Sequence, residues 1–137
     1  MADTVRLVEY FYVTAPQKPG VGAALLGELR QAGVNLLAFT GFPSGRGAQV
    51  DFVPENPAAF RAVAKKAKWK VTGPKKALLV EGDDRPGVVA ELMQRLADAK
   101  INVTAIDALC AGSGRYGAIL WVAPRDATRA ARTLGAA

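Results

Sequence analysis

At 137 residues the chain has room for one domain of ordinary size or two very small ones. Half of it is apolar and 22% is charged, the balance of a globular chain, and no apolar run nears the roughly 20 residues that cross a bilayer. It has no histidine and a single cysteine, Cys110, which removes the commonest general base, the Ser-His and Cys-His pairs, the usual catalytic zinc ligands and any internal disulfide. A non-enzyme without a cofactor is therefore expected. The opening, Met1 to Arg6, lacks the basic-then-apolar order of a signal peptide, and a cytoplasmic location is expected.

The first strand is predicted over Val5–Thr14, rich in β-branched and aromatic residues. "APQKPGVGAALLGELRQAGVNL" (15–36) then reads as a strand exit, a helix started by a proline and a return to strand. Proline suits a first helical turn because its missing N–H would be unpaired there anyway. A second strand over Val34–Phe42, the glycine-rich turn 43–47 and a third strand over Ala48–Val53 follow, then a helix over Pro57–Lys68. Trp69–Thr72 can add a fourth strand before Gly73-Pro74 breaks the pattern.

From there the chain repeats itself. At an offset of 67, Pro19/Pro86, Gly20/Gly87, Val21/Val88, Leu25/Leu92, Leu29/Leu96 and Asn35/Asn102 coincide, and the apolar pairs keep the four-residue spacing of one helical stripe. Strands are predicted over Ala77–Glu81, Ile101–Cys110 and Ala118–Val122, with a last helix over Arg125–Leu134. The order is β-α-β-β-α-β twice, which predicts an α+β protein of two tandem ferredoxin-like units packed side by side, 1–73 and 74–137. The second has its fourth strand short or missing, because little chain remains after "TLGAA". A unit of this size is marginal alone, so the two should pack together and a homodimer is expected. Ile119-Leu120-Trp121-Val122 is apolar on both faces, whereas a half-exposed sheet would alternate more cleanly.

Three local patterns compete for a chemical reading. Gly112-x-Gly114-x-x-Gly117 matches the dinucleotide fingerprint in form, but a strand rather than a helix follows it, which makes it a glycine-rich hairpin. Lys65, Lys66, Lys68, Lys70, Lys75 and Lys76 surround Trp69 and hold much of the net charge of +6. The plainer reading is a solvated helix end and linker, and nucleic-acid binding is disfavoured because RNA readers add several surface aromatics. Asp83 to Gly87 is more specific. Gly87 lets the backbone approach a ligand or a neighbouring strand. The helix start offers N–H donors to a carboxylate, while Asp84 stands beside them to cap the helix or accept from an ammonium, a pairing complementary to a zwitterion. Asn35 and Asn102 would serve either a left-handed turn or a ligand through the side-chain amide.

Residues 84–103, "DRPGVVAELMQRLADAKINV", resemble the opening signature of the ACT domain, the small regulatory domain that binds amino acids in many metabolic enzymes. "QKPGVGAALLGELRQAGVNL" (17–36) is a weaker copy, and with the βαββαβ order the resemblance covers nearly the whole chain. It implies a stand-alone ACT pair with ligand sites where units lie side by side. By position it implies ligand contacts from Asp84, Gly87, Val88 and Asn102, and from Gln17, Gly20, Val21 and Asn35, with Gln17 departing from the acidic form. A non-catalytic sensor for an amino acid or related metabolite, acting through a regulated protein partner, is the function so implied. The alternative is a structural or protein-interaction module that has lost ligand binding.

Overall fold

A computed structural model describes residues 3–136. The chain forms β1 (Thr4–Pro16), α1 (Val21–Gln31), β2 (Leu36–Ser44), β3 (Gly47–Pro54), α2 (Pro57–Lys66), β4 (Thr72–Asp83), α3 (Val88–Asp98), β5 (Val103–Gly112), β6 (Arg115–Val122), a short 3-10 turn (Pro124–Asp126) and α4 (Ala127–Thr133). This is the expected α+β order of two βαββαβ units. Two compact units divide the chain: Glu9–Lys75, and the residues up to Val8 together with those from Lys76 onward. The long strands β1 and β4 each pass from one unit into the other.

In the Glu9–Lys75 unit the strands lie in the order β2-β3-β1-β4. β1 and β2 both pair antiparallel with β3, so that Phe39, Phe52 and Phe11 stand in one row across the three strands. Strand alternation sends Phe11, Val13, Val50 and Phe52 to one face, where α1 and α2 bring Leu29, Phe60 and Ala64. Phe60 has no exposed surface; it stacks on Phe11 at 4.8 Å and packs tilted against Phe52 at 5.2 Å. Pro57 opens α2 at its first turn, and Asn56 caps it by accepting from the Ala59 N–H at 3.1 Å.

In the other unit the order is β1-β4-β6-β5, with residues 4–8 of β1 as the edge beside β4. After α4 no strand follows among the described residues. Residues 4–8, from the opening of the chain, therefore form the edge of this unit beside β4. Val5, 8% exposed, joins Leu78, Val80, Val88, Leu92, Leu96 and Leu120 in the core of this unit. Gly82 permits that approach: a Cβ there would meet the Asp3 carboxylate and come within 2.8 Å of Tyr116 Cε1. Ala77, Leu79, Ile119 and Trp121, on the strand faces turned away from this core, are also buried, as the unbroken apolar run suggested.

All four helices end alike. The residue after the C-cap donates to a carbonyl three back and the next residue to one five back, as in Lys100 N–H to Ala97 O (2.9 Å) and Ile101 N–H to Leu96 O (2.9 Å). The turning residue is left-handed in each: Gly33, Lys68, Lys100 and Gly135. Three expectations shift here. Pro19 and Pro86 precede their helices, which begin at Val21 and Val88 after the left-handed N-caps Gly20 and Gly87. Residues 69–71 are not strand; β4 instead starts at Thr72 and runs through Gly73-Pro74, because its partner β1 is itself long. In the stripe Val21, Leu25, Leu29 only Leu29 is buried, whereas Val88, Leu92 and Leu96 all are.

Candidate functional site

The loop between β4 and α3 carries the residues singled out in the sequence. Asp83 closes β4 opposite Arg115 on β6, and Arg115 Nη1 donates to its Oδ1 at 2.9 Å. That guanidinium holds the Asp83 carboxyl below its usual range. The Asp84 N–H then donates to Gly114 O at 2.8 Å, anchoring the loop to the β5–β6 hairpin. Arg85 turns back to pair with Glu91 on α3. Gly87 follows with φ of 84°, a left-handed position that favours glycine. A Cβ on Gly87 would meet nothing within 4 Å, so glycine is required by the backbone angle rather than by a close neighbour.

Asp84 does not cap the helix: α3 has no side-chain cap. Its carboxylate lies instead beside Cys110 on the edge strand β5, where it pushes the thiol pKa up. The hairpin that places Gly114 turns through Ser113 and Gly114, both at positive φ, the backbone of a two-residue primed turn. The dinucleotide-like glycine pattern is thus a hairpin leading into β6, as expected.

In the Glu9–Lys75 unit the equivalent loop is built differently. Gly47 stands 67 positions before Gly114, and its carbonyl accepts from the side chain of Gln17, Nε2 to O at 2.7 Å. One copy thus anchors its loop with the backbone of Asp84, the other with the side chain of Gln17. Gln17 is spent on the hairpin, whereas the Asp84 carboxylate stays off that anchor and lies against the Cys110 thiol. Gly20 repeats the left-handed N-cap of Gly87, with φ of 90°. Val21 is half-buried, while Val88 is buried in the core.

Asn35 and Asn102 are not brought to these loops within their own units. Each follows its helix, and α3 alone, eleven residues long, separates Asn102 from Gly87 by about 16 Å of helical rise. Neither asparagine is the left-handed turning residue, which is Gly33 in one copy and Lys100 in the other. Asn35 faces the β3–α2 loop: its carbonyl accepts from the Glu55 N–H at 2.9 Å and its amide reaches Glu55 Oε2 at 3.4 Å.

Two features lay outside the sequence reading. A cleft of about 580 Å³ runs along α3, lined by Asp3, Arg85, Val88, Glu91, Arg95 and Leu134; of the candidate residues only Val88 reaches it. Asp51 on β3 is 4% exposed, and its Oδ1 accepts from Gln49 Nε2 at 2.9 Å. Burial raises its pKa, with Gln49 and Lys75 opposing. A carboxyl whose folded pKa exceeds its unfolded value contributes stability below the unfolded pKa and loses it as pH rises through the folded one. Asp51→Asn should accordingly raise the melting midpoint at neutral pH more than at pH near 3, as thermal unfolding at the two pH values would read. An equal shift at both would mean that the charge is not what burial opposes.

Among the described residues no group of three or more acidic or cysteine side chains could hold a metal, and no helix is long and apolar enough to cross a membrane. No protein-family model and no curated protein sequence matches the chain. The fold is nevertheless a recurrent one, that of paired βαββαβ units. The Bacteroides thetaiotaomicron protein BT0572 superposes with a TM-score of 0.81 at 12% identity, over 95% of this chain and 88% of that one. The regulatory subunit of aspartate kinase from Thermus thermophilus, in a ligand-free form, gives 0.64 at 18% identity over 98% and 95%. Its counterpart from Thermus flavus gives 0.63, again at 18% identity and the same coverage.

Proposed function

We propose that this chain is a non-catalytic regulatory protein, a pair of ACT-like repeats (1–73 and 74–137) that binds an amino acid or a related zwitterion in the cytoplasm. The β4–α3 loop is its acidic half-site. Asp84 would accept from the ligand's ammonium, and the backbone donors at the start of α3 would take its carboxylate. The observation that carries this reading is the exchange of anchors between the repeats: Gln17 spends its side chain on Gly47, whereas Asp84 anchors through its backbone and holds its carboxylate off that anchor, beside the Cys110 thiol, which a ligand ammonium would replace. The fold shared with regulatory subunits of aspartate kinase supports a regulatory rather than a catalytic role. Asn102, remote from Gly87 within its unit, would meet ligand bound at another loop, and a homodimer is the proposed working form. Binding would shift a population of arrangements and so act on a protein partner.

A thermal-shift screen of the twenty amino acids is the test. A ligand at 100 times its Kd adds about 2.7 kcal/mol, a visible rise in midpoint. Asp84→Ala should then weaken that ligand about ten- to a hundredfold, the loss of one charged hydrogen bond, while Gln17→Ala should not. Unchanged affinity in Asp84→Ala would remove the ammonium contact. A screen in which no amino acid stabilises the protein would leave the protein-interaction module in its place.

A further inference from the structure

The segment from Pro57 to Lys75 contains Arg61, Lys65, Lys66, Lys68, Lys70 and Lys75 and not one acidic residue, while the rest of the chain carries twelve residues of each sign. The whole net charge is therefore equal to that of this one segment. It borders a shallow groove of about 230 Å³ where Trp69 and Val71 are half-buried, Phe11 and Phe60 lie buried beneath, and Arg61 and Lys65 stand at the side. Arg61 and Lys65 are four apart on α2 and so share one face of the helix. Lys68 and Lys70 flank Trp69 in the chain and are exposed. Lys65, Lys68 and Lys70 form no ion pair among the described residues; Arg61 has only Glu9 at 4.0 Å.

We infer that this surface docks an acidic segment of a partner protein, with an apolar side chain of the partner seated over Trp69 and carboxylates on the surrounding cations. Charge complementarity selects the class of partner: unneutralised lysines on flexible stems attract anions without fixing a rigid geometry. The groove floor selects between anions. Trp69 stacks on Phe52 (5.9 Å, 15°) and packs tilted against Phe60, while Phe11 stacks on Phe60 and carries the Arg61 guanidinium over its ring at 5.5 Å, so these rings are engaged within the unit. A nucleic-acid reader presents such faces outward to the bases. Half-buried Trp69 and Val71 beside these cations suit a leucine or similar side chain flanked by glutamates. The proposal stands apart from the zwitterion site, since it uses none of those residues and its test contains no amino-acid ligand.

The test uses the full chain and a short fluorescent peptide alternating glutamates with leucines, read by anisotropy across a salt series. Control probes are the same peptide with glutamine for glutamate, the same with serine for leucine, and an oligouridylate of equal length. Binding should weaken as salt rises. It should fall about tenfold or more in the combined Lys65→Glu, Lys68→Glu, Lys70→Glu variant and for the glutamine peptide, and several-fold for the serine peptide. Thermal midpoints verify that the variant folds, and the corresponding lysine-to-glutamine variant takes its place if it does not. Equal binding of the glutamate and glutamine peptides, indifference to the lysine changes, or tighter binding of the oligouridylate than of the peptide would each overturn the inference. The last of these would make the surface a nucleic-acid site.

Discussion

Phe60→Ala should cost about 3–5 kcal/mol, the range for emptying a fully buried aromatic site. Against an ordinary domain stability of about 5–15 kcal/mol this is a large share, and the melting midpoint should fall by about 10 °C or more. The size follows from what the ring touches. Phe60 has no exposed surface and packs against Phe11 and Phe52 as well as Trp69, so its removal opens one cavity lined by three other rings. Rings held on β1, β3 and the loop after α2 cannot collapse together to refill it. Phe60→Leu should cost clearly less, because most of the volume is kept. Urea unfolding of the two variants measures both values; a loss below about 1 kcal/mol for Phe60→Ala would mean that the aromatic cluster does not form the core of the Glu9–Lys75 unit.

Val5→Asp should be nearly as damaging, at about 3 kcal/mol, because it places an unpaired carboxylate within a core. Val5 lies on the first segment of β1, among Leu78, Val80 and Leu92, which belong to the unit built from Lys76 onward. Its neighbour Arg6 is exposed on the opposite side of the strand, and Arg6→Asp should change stability by no more than about 0.5 kcal/mol. Hydrogen exchange along β4 would localise the effect. Protection lost at residues 76–83 in Val5→Asp, and retained in Arg6→Asp, is the expected pattern. A mild phenotype for Val5→Asp would show that this unit does not depend on the opening of the chain for its edge.

Much of the candidate site was legible in the sequence as position and little of it as contact. The 67-residue offset located Gly20 and Gly87, and both are left-handed N-caps. The same offset extends to Gly47 and Gly114, whose carbonyls anchor the two loops, and to Gly33 and Lys100, which turn the two helix ends. Following the repeat that far would have found both pairs. The partner chosen for each carbonyl was not legible, since a backbone N–H and a glutamine side chain serve equally well and the choice depends on the path of the loop. Cys110 beside Asp84 was hidden for a similar reason: twenty-six residues separate them in sequence, and only the β4-β6-β5 strand order brings them together.

The sequence by itself determined that the βαββαβ pattern is repeated and placed each helix to within about two residues at its ends, because apolar period and turn glycines act over a few residues. It determined the hairpin at residues 112–115 on the same ground, since a two-residue turn dictates its own register. The tertiary structure alone decided which strand closes the second unit. Thr4 to Val8 could have continued the first repeat, and nothing local to that segment forbids it. Among the described residues β1 is the only strand beside β4 on that side, and burying Val5 there while satisfying the backbone groups of β4 is a gain that exists only once the distant strand is in place. The same long-range choice explains why β1 and β4 outran their expected lengths.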